Sequence, residues 1–439
     1  MAVNLPKELV DYIIDLVHDS DATDWRTLTA CALLHPCWAK RSLAHLSSPA
    51  GITLKVDWPD CPDFTDLASI LQSQSARRLD AKTAILANDI GAAIHQLTIS
   101  GPVSSTTHTA DGLLPLSEPI PLERLSNLRV LTLRQVMIPD IPSFAALLTQ
   151  CTTIEEMSLQ GLALEVTATT TSKTALDAAC KGLRGHPVLP RLQKLQLLDI
   201  VDPFSQLIST ALADIIYYAA PATPIRTLGL HPTSLCPTGN CNLLGWYEAI
   251  THISNTLARL SVTVVMALVR FIEYSDGSRF PTAIYRCEHL RHFALCYHPG
   301  PYLRSTHWDQ PEFFLSSVHG MFSYSPPRFA RVLESFVLAM PYEQPPYTPD
   351  SIVGQLTQLV QTLLNTENYP ALSSFHFCII LISTLATDPT VRGDPLPLSG
   401  TQEVGTWVES IAAVLEPLRG RDVEVETRAM RMDEWSARY

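Results

Sequence analysis

The chain has 439 residues, of which 46% are hydrophobic and only 17% charged, with 33 prolines and a formal net charge of −12. That length buries a large core and implies two or three domains unless a repeat extends one of them. The acidic balance and the lack of a basic run exclude broad binding to nucleic acid or to an anionic membrane, because nothing is present to neutralise phosphates.

From the N-terminus, Leu5, Leu9, Val10, Ile13, Ile14, Leu16 and Val17 recur at helical spacing, with Lys7, Asp11 and Asp15 off the apolar face. Pro6 suits a first turn, where its missing N–H needs no partner. His18 to Trp25 reads as a polar loop, and Thr27 to Leu46 resumes helical spacing through Leu28, Cys31, Leu34 and Trp38. Two short helices with this much apolar surface cannot cover it alone, so the next domain or a partner must. Lys7 and Glu8 interrupt the apolar pattern too early for a secretory signal.

The ordered set Leu5-Pro6-Lys7-Glu8-Leu9, Cys31-Ala32-Leu33 and Trp38 resembles the F-box in its fungal form. Pro36 departs from the family pattern, in which a helix continues there; a proline breaks the last helix or begins it. The resemblance implies that Leu5, Pro6, Leu9, Ile13, Leu16, Leu28, Leu34 and Trp38 include residues meeting a Skp-type linker of a cullin–RING ubiquitin ligase. The alternative is that they are ordinary core of a helical cap.

Beyond this head, residues 1–48, comes a linking strand and helix in 49–89: Ile52 to Val56 reads as a strand and Phe64 to Leu79 as a helix. From residue 90 to 439 a triplet of apolar positions recurs nine times: Ile94/Leu97/Ile99, Leu128/Leu131/Leu133, Ile154/Met157/Leu159, Leu192/Leu195/Leu197, Ile225/Leu228/Leu230, Leu257/Leu260/Val262, Leu290/Phe293/Leu295, Leu333/Phe336/Leu338 and Leu372/Phe375/Phe377. First positions lie 26 to 43 residues apart, enough for one strand and one helix per copy. Helical spacing fills the intervals at Phe204 to Ala219, Ser351 to Asn365 and Glu403 to Leu418, and Val423/Val425 supplies a closing strand. Gly101 to Pro121 and Asp388 to Gly400 read as loops.

Such units bury their apolar faces only by stacking on neighbours. The triplets resemble degenerate leucine-rich repeats, in which the expected asparagine is missing; Val136 stands three positions after Leu133 where it belongs. The expected fold is therefore α/β: a short helical F-box-like head followed by an irregular leucine-rich-repeat-like solenoid. Residues 298–349 form an aromatic and proline-rich insertion.

Two client-binding surfaces are candidates. The residues between the last two apolar positions of each triplet, Thr98, Thr132, Ser158, Gln196, Gly229, Ser261, Ala294, Val337 and His376, point to the strand face opposite the apolar one and lose polarity towards the C-terminus. Near the strand starts, Arg129, Lys194, Arg226, Arg259 and Arg291 recur in five copies of an otherwise acidic chain. They suit an acidic or phosphorylated client segment, since guanidinium groups pair carboxylate and phosphate bidentately; the alternative is solvated charges bridging Glu155, Glu156 and Glu334. The second surface is the insertion, where Tyr297, Tyr302, Trp308, Phe313, Phe314, Phe322, Tyr324 and Tyr347 stand among prolines. It serves as an interaction surface or as a lid packed back on the repeats.

Catalytic motifs are absent: no Gly-x-Ser-x-Gly, Walker loop, Gly-x-Gly-x-x-Gly or His-Glu-x-x-His occurs. Cys287, His289, His292, Cys296 and His298 crowd together, but their spacing fits no usual zinc finger. Cys236 and Cys241 are a weaker pair still. Ten cysteines without a CxxC pair read as buried thiols of a reducing compartment, and Asn-x-Ser/Thr sequons are absent. The uncharged stretch Asn368 to Thr387 has the length of a membrane span, yet its Asn, Pro, His, Ser and Thr fit a buried strand better. The sequence thus predicts a cytoplasmic or nuclear, non-catalytic substrate adaptor of a Skp–cullin–F-box ligase, binding the linker, through it cullin, and a protein client, with no cofactor, metal, nucleic acid or membrane partner. The alternative is a repeat scaffold that recruits no ligase.

Overall fold

A computed structural model of the chain describes residues 6–20, 52–57, 94–101, 125–164, 187–198, 205–219, 223–231, 243–265, 279–298, 311–323, 328–342, 349–381 and 398–431, with isolated residues between and beyond them, among them Leu28, Trp38, Arg41, His45 and Trp435. It is mixed α/β and almost wholly parallel, and it divides into two compact units, Met1–Leu192 and Gln193–Tyr439. The predicted helix 64–79 and the residues Leu5 and Leu34 lie outside the described residues.

In the first unit, helix α1 (Lys7–Ser20) begins where the Pro6 carbonyl accepts the N–H groups of Leu9 and Val10, both at 3.1 Å. It runs through His18 to Ser20, three residues beyond the predicted end at Val17. Strands β1 (Ile52–Asp57), β2 (Ile94–Ser100), β4 (Val130–Arg134) and β6 (Glu156–Gln160) pair in that order, all parallel. Register aligns Leu97, Leu131 and Met157 in one row and Ile99, Leu133 and Leu159 in another, all buried.

After two of these strands the chain turns through a left-handed residue, Gln135 (φ 50°) after β4 and Gly161 (φ 60°) after β6. The turn sends it into a second, short parallel ladder made of β3 (Leu114–Pro115), β5 (Val136–Ile138) and β7 (Ala163–Leu164). Val136, where a consensus repeat would carry asparagine, is buried, and the left-handed residue one step earlier makes the turn. Helix α2 (Ile141–Gln150) follows; Asp140 caps it by accepting the Ser143 N–H at 2.7 Å, and Pro142 sits in its first turn.

The second unit has seven parallel strands in chain order: β8 (Lys194–Leu198), β9 (Thr227–His231), β10 (Arg259–Val265), β11 (His292–His298), β12 (Ser335–Tyr342), β13 (Ser374–Leu381) and β14 (Glu424–Arg431). The connecting helices are α3 (Ser205–Tyr218), α4 (Leu243–Ile253), α5 (Arg279–Tyr285), α6 (Pro311–Ser323), α7 (Pro349–Leu363) and α8 (Leu398–Arg419), and α3 packs on α4, α4 on α5, α6 on α7 and α7 on α8. Proline opens α6 and α7, where its fixed φ is already helical. Helix α8 starts inside the stretch read as a loop from Asp388 to Gly400. The predicted strand within Asn368 to Thr387 is β13, and the closing strand is β14.

Register threads Leu195, Leu228, Leu260, Phe293, Phe336, Phe375 and Val425 into one row, and Leu197, Leu230, Val262, Leu295, Leu338, Phe377 and Thr427 into the next. Strand side chains alternate between faces, so both rows point the same way, towards the helices. There Phe293, Phe322, Phe329, Phe336, Phe375 and Tyr369 form a continuous aromatic layer; Phe336 stacks on Phe293 at 5.7 Å and meets Phe322 at 4.9 Å. Strand starts repeat one bonding pattern: the carbonyls of Gln193, Arg226, Ala258, Arg291 and Glu334 each accept two consecutive N–H groups from the following strand. That repeated bond fixes the register that the leucine spacing requires.

Candidate interaction surfaces

Helix α1 has two unlike faces. Val10 and Ile14, one turn apart, are buried, as are Leu28, Cys31 and Ser42. Leu9, Tyr12 and Leu16, at spacings of three and four, are 44%, 60% and 49% exposed and form one stripe, with half-buried Ile13 beside it and exposed Pro6 at its head. Only Tyr217 joins them among the described residues as an exposed large hydrophobic side chain. Leu28 therefore belongs to the buried side of the head and Trp38 is partly exposed, so the expected contact residues divide into a surface group and an inner group.

Asp15 fastens this arrangement. Its carboxylate accepts Arg41 Nε at 2.7 Å and Nη2 at 2.8 Å and lies 2.6 Å from His45 Nε2. These bonds, Arg41 first and His45 second, hold the Asp15 carboxyl down at about 2. The bidentate geometry orients Arg41, and the His45 contact orients that ring, against α1.

Tyr12 was not among the residues singled out by sequence. Its position, three after Leu9 and four before Leu16, carried the signal.

In the second unit, Gln196, Gly229, Ser261, Ala294, Val337 and His376 occupy one continuous register row on the face opposite the helices, ending at Glu426. In the first unit Thr98, Thr132 and Ser158 do the same. This face is not simply open: Ser261, Ala294 and Val337 are buried, and His376 is 17% exposed beside Glu426 at 3.5 Å. The next row on the same face holds His231, Thr263, Cys296, Ala339 and Cys378, all buried. His231 Nδ1 is 2.9 Å from Thr263 Oγ1, and burial pushes its pKa down to about 4, so the ring is neutral.

The basic residues fall in two adjacent registers. Arg226 and Arg291 immediately precede β9 and β11, whereas Lys194 and Arg259 are the first residues of β8 and β10 and pair with Thr227; Arg129 belongs to the first unit. Arg291 pairs with Glu334 at 3.1 Å, and Arg129 reaches Glu155 at 3.9 Å. Those two residues thus take the carboxylates named as their alternative partners, and exposed pairs of this kind contribute little. Among the described residues, Arg226 and Arg259 have no carboxylate at salt-bridge distance.

The aromatic insertion contains an ordinary connecting helix, α6. Tyr297 stacks on Phe314 at 5.0 Å, and Phe322 sits in the aromatic layer, all buried. These three pack inward instead of forming an exposed surface; Tyr302, Trp308, Tyr324 and Tyr347 lie outside the described residues, as does the side chain of Phe313. Cys287 is buried and its thiol pushed up to about 12, and burial raises Cys296 further. Among the described residues no three His, Cys, Asp or Glu side chains gather as a metal site, and no helix is long and apolar enough to cross a membrane.

Compared with known proteins, the chain matches no family model and no curated sequence.

Proposed function

We propose that the protein is a substrate-recognition adaptor of a Skp–cullin–F-box ubiquitin ligase, cytoplasmic or nuclear, with no catalysis of its own. The first 48 residues act as an F-box-like head that docks on the Skp-type linker and through it cullin. The repeated strands and helices are read as turns of a leucine-rich-repeat-like solenoid that holds a client protein, which other subunits modify by proximity.

The observation that carries this reading is the exposed stripe Leu9, Tyr12 and Leu16 on α1, in the segment whose wording resembles the F-box. Apolar side chains spaced along one exposed helix face are what a partner helix or groove covers, and tyrosine is among the side chains that carry most binding energy at interfaces. Two half-buried leucines hold about 1 kcal/mol each in reserve for association, and Tyr12 about 2 more.

The test is titration calorimetry of the chain with its Skp-type linker, wild type beside Leu9→Asp/Leu16→Asp. Removing the leucines is expected to weaken binding at least thirtyfold while leaving the circular dichroism spectrum unchanged. Unaltered affinity in the folded variant refutes the docking face.

A further inference from the structure

The face of the second unit opposite its helices has an internal occupant. Four adjacent strands, β11 to β14, present Cys296, Ala339, Cys378, Ile380 and Met430 there in one buried apolar cluster, and the residue that completes it from outside the sheet is Trp435. Trp435 is fully buried and meets the ring of His231 on β9 edge to face at 6.4 Å. Glu434, Trp435 and Arg438 are helical, which puts Arg438 one turn beyond the indole. At the β13–β14 edge of the same face Glu426 lies 3.5 Å from His376 and 3.3 Å from Arg428.

A sheet face built to meet water carries polar side chains; this one keeps charge at its β13–β14 edge, where Glu426 meets His376 and Arg428, and its buried apolar cluster takes an indole from a charged segment, Asp433-Glu434-Trp435-Ser436-Ala437-Arg438. We infer that this face is a recognition surface for a short segment anchored by one indole, and that the segment carrying Trp435 occupies it in cis as a displaceable plug, its ring held by the apolar cluster. The inference rests on reading this face as the client surface, and it is independent of whether the head binds a ligase linker.

The probe is a fluorescein-labelled peptide of residues 432–439, titrated by anisotropy into the full intact chain and into full-length Trp435→Gly. A tethered plug acts at an effective concentration of about a millimolar, so the intact chain is expected to bind the peptide at least tenfold more weakly than the variant. The same peptide with Trp435→Ala is expected not to bind either protein. Equal binding by both chains, or no saturable binding by the folded variant, overturns the inference. Should Trp435→Gly not unfold cooperatively, hydrogen exchange in the intact chain decides: amides of 434–438 opening at least tenfold faster than β13 and β14 supports a displaceable plug, and opening at the same rate makes Trp435 fixed core and overturns it.

Discussion

Phe336→Ala is expected to be the most damaging single truncation in the second unit. The ring is wholly buried and touches Phe293 at 5.7 Å, Phe322 at 4.9 Å and Phe375 at 5.6 Å, so the truncation empties the middle of the aromatic layer between strands and helices. A buried Phe→Ala change costs about 3–5 kcal/mol, and three aromatic neighbours, each contributing about 0.5–1.5 kcal/mol beyond area, place this one near the upper end. Phe336→Leu, which conserves most of the volume, should cost about 1.5 kcal/mol. Stacked units couple mainly to their neighbours, so the loss should be local. Hydrogen exchange with mass spectrometry, followed peptide by peptide in mild denaturant, reads both size and place. Protection should fall most in β11, β12 and β13 and least in β4 and β6. A loss below about 1 kcal/mol, or an equal loss in both units, would refute the reasoning about the layer.

Three further outcomes are expected. Asp15 is held at about 2 against an ordinary 3.8, so its clasp on Arg41 is present above pH 4 and released as pH falls through 2; NMR of the Arg41 Nε–H should show this, and Asp15→Asn should release it at every pH. The neutral His231 has a pKa depressed from 6.5 to about 4, so its contribution is complete above pH 6.5 and declines as pH falls towards 4, by on the order of 3 kcal/mol; denaturation of His231→Gln should show a flatter slope than wild type over that window. Gly161→Ala forces a side chain into a left-handed turn, with its Cβ 3.3 Å from Gln135 Cγ, and should cost about 1–2 kcal/mol in a urea titration of the first unit; no change would mean the turn tolerates strain.

The strands and their register were legible in the sequence because a two-residue period leaves one answer once leucines fix the buried face: the rows through Leu97, Leu228 and Phe336 follow from the triplets. The second ladder was not, since strands of two and three residues such as β5 carry no period, and its turn uses left-handed Gln135 in place of asparagine. The five basic residues read as one recurrence near the strand starts, yet Arg226 stands one step and Arg259 two steps beyond the first position of its triplet, which places them in adjacent registers. Prolines around 298–349 masked α6, although Phe314, Leu315, Val318 and Phe322 already carried helical spacing. Trp435 was invisible for a different reason: a single aromatic in a charged segment has no pattern, and only tertiary packing reveals its burial.

The most direct measurement on the central claim is light scattering of the full chain after co-purification with its Skp-type linker. An adaptor gives a one-to-one complex that persists through size exclusion and disappears when Leu9, Tyr12 and Leu16 are changed together to aspartate. A well-folded chain that elutes alone, with the linker in a separate peak, would contradict the adaptor reading.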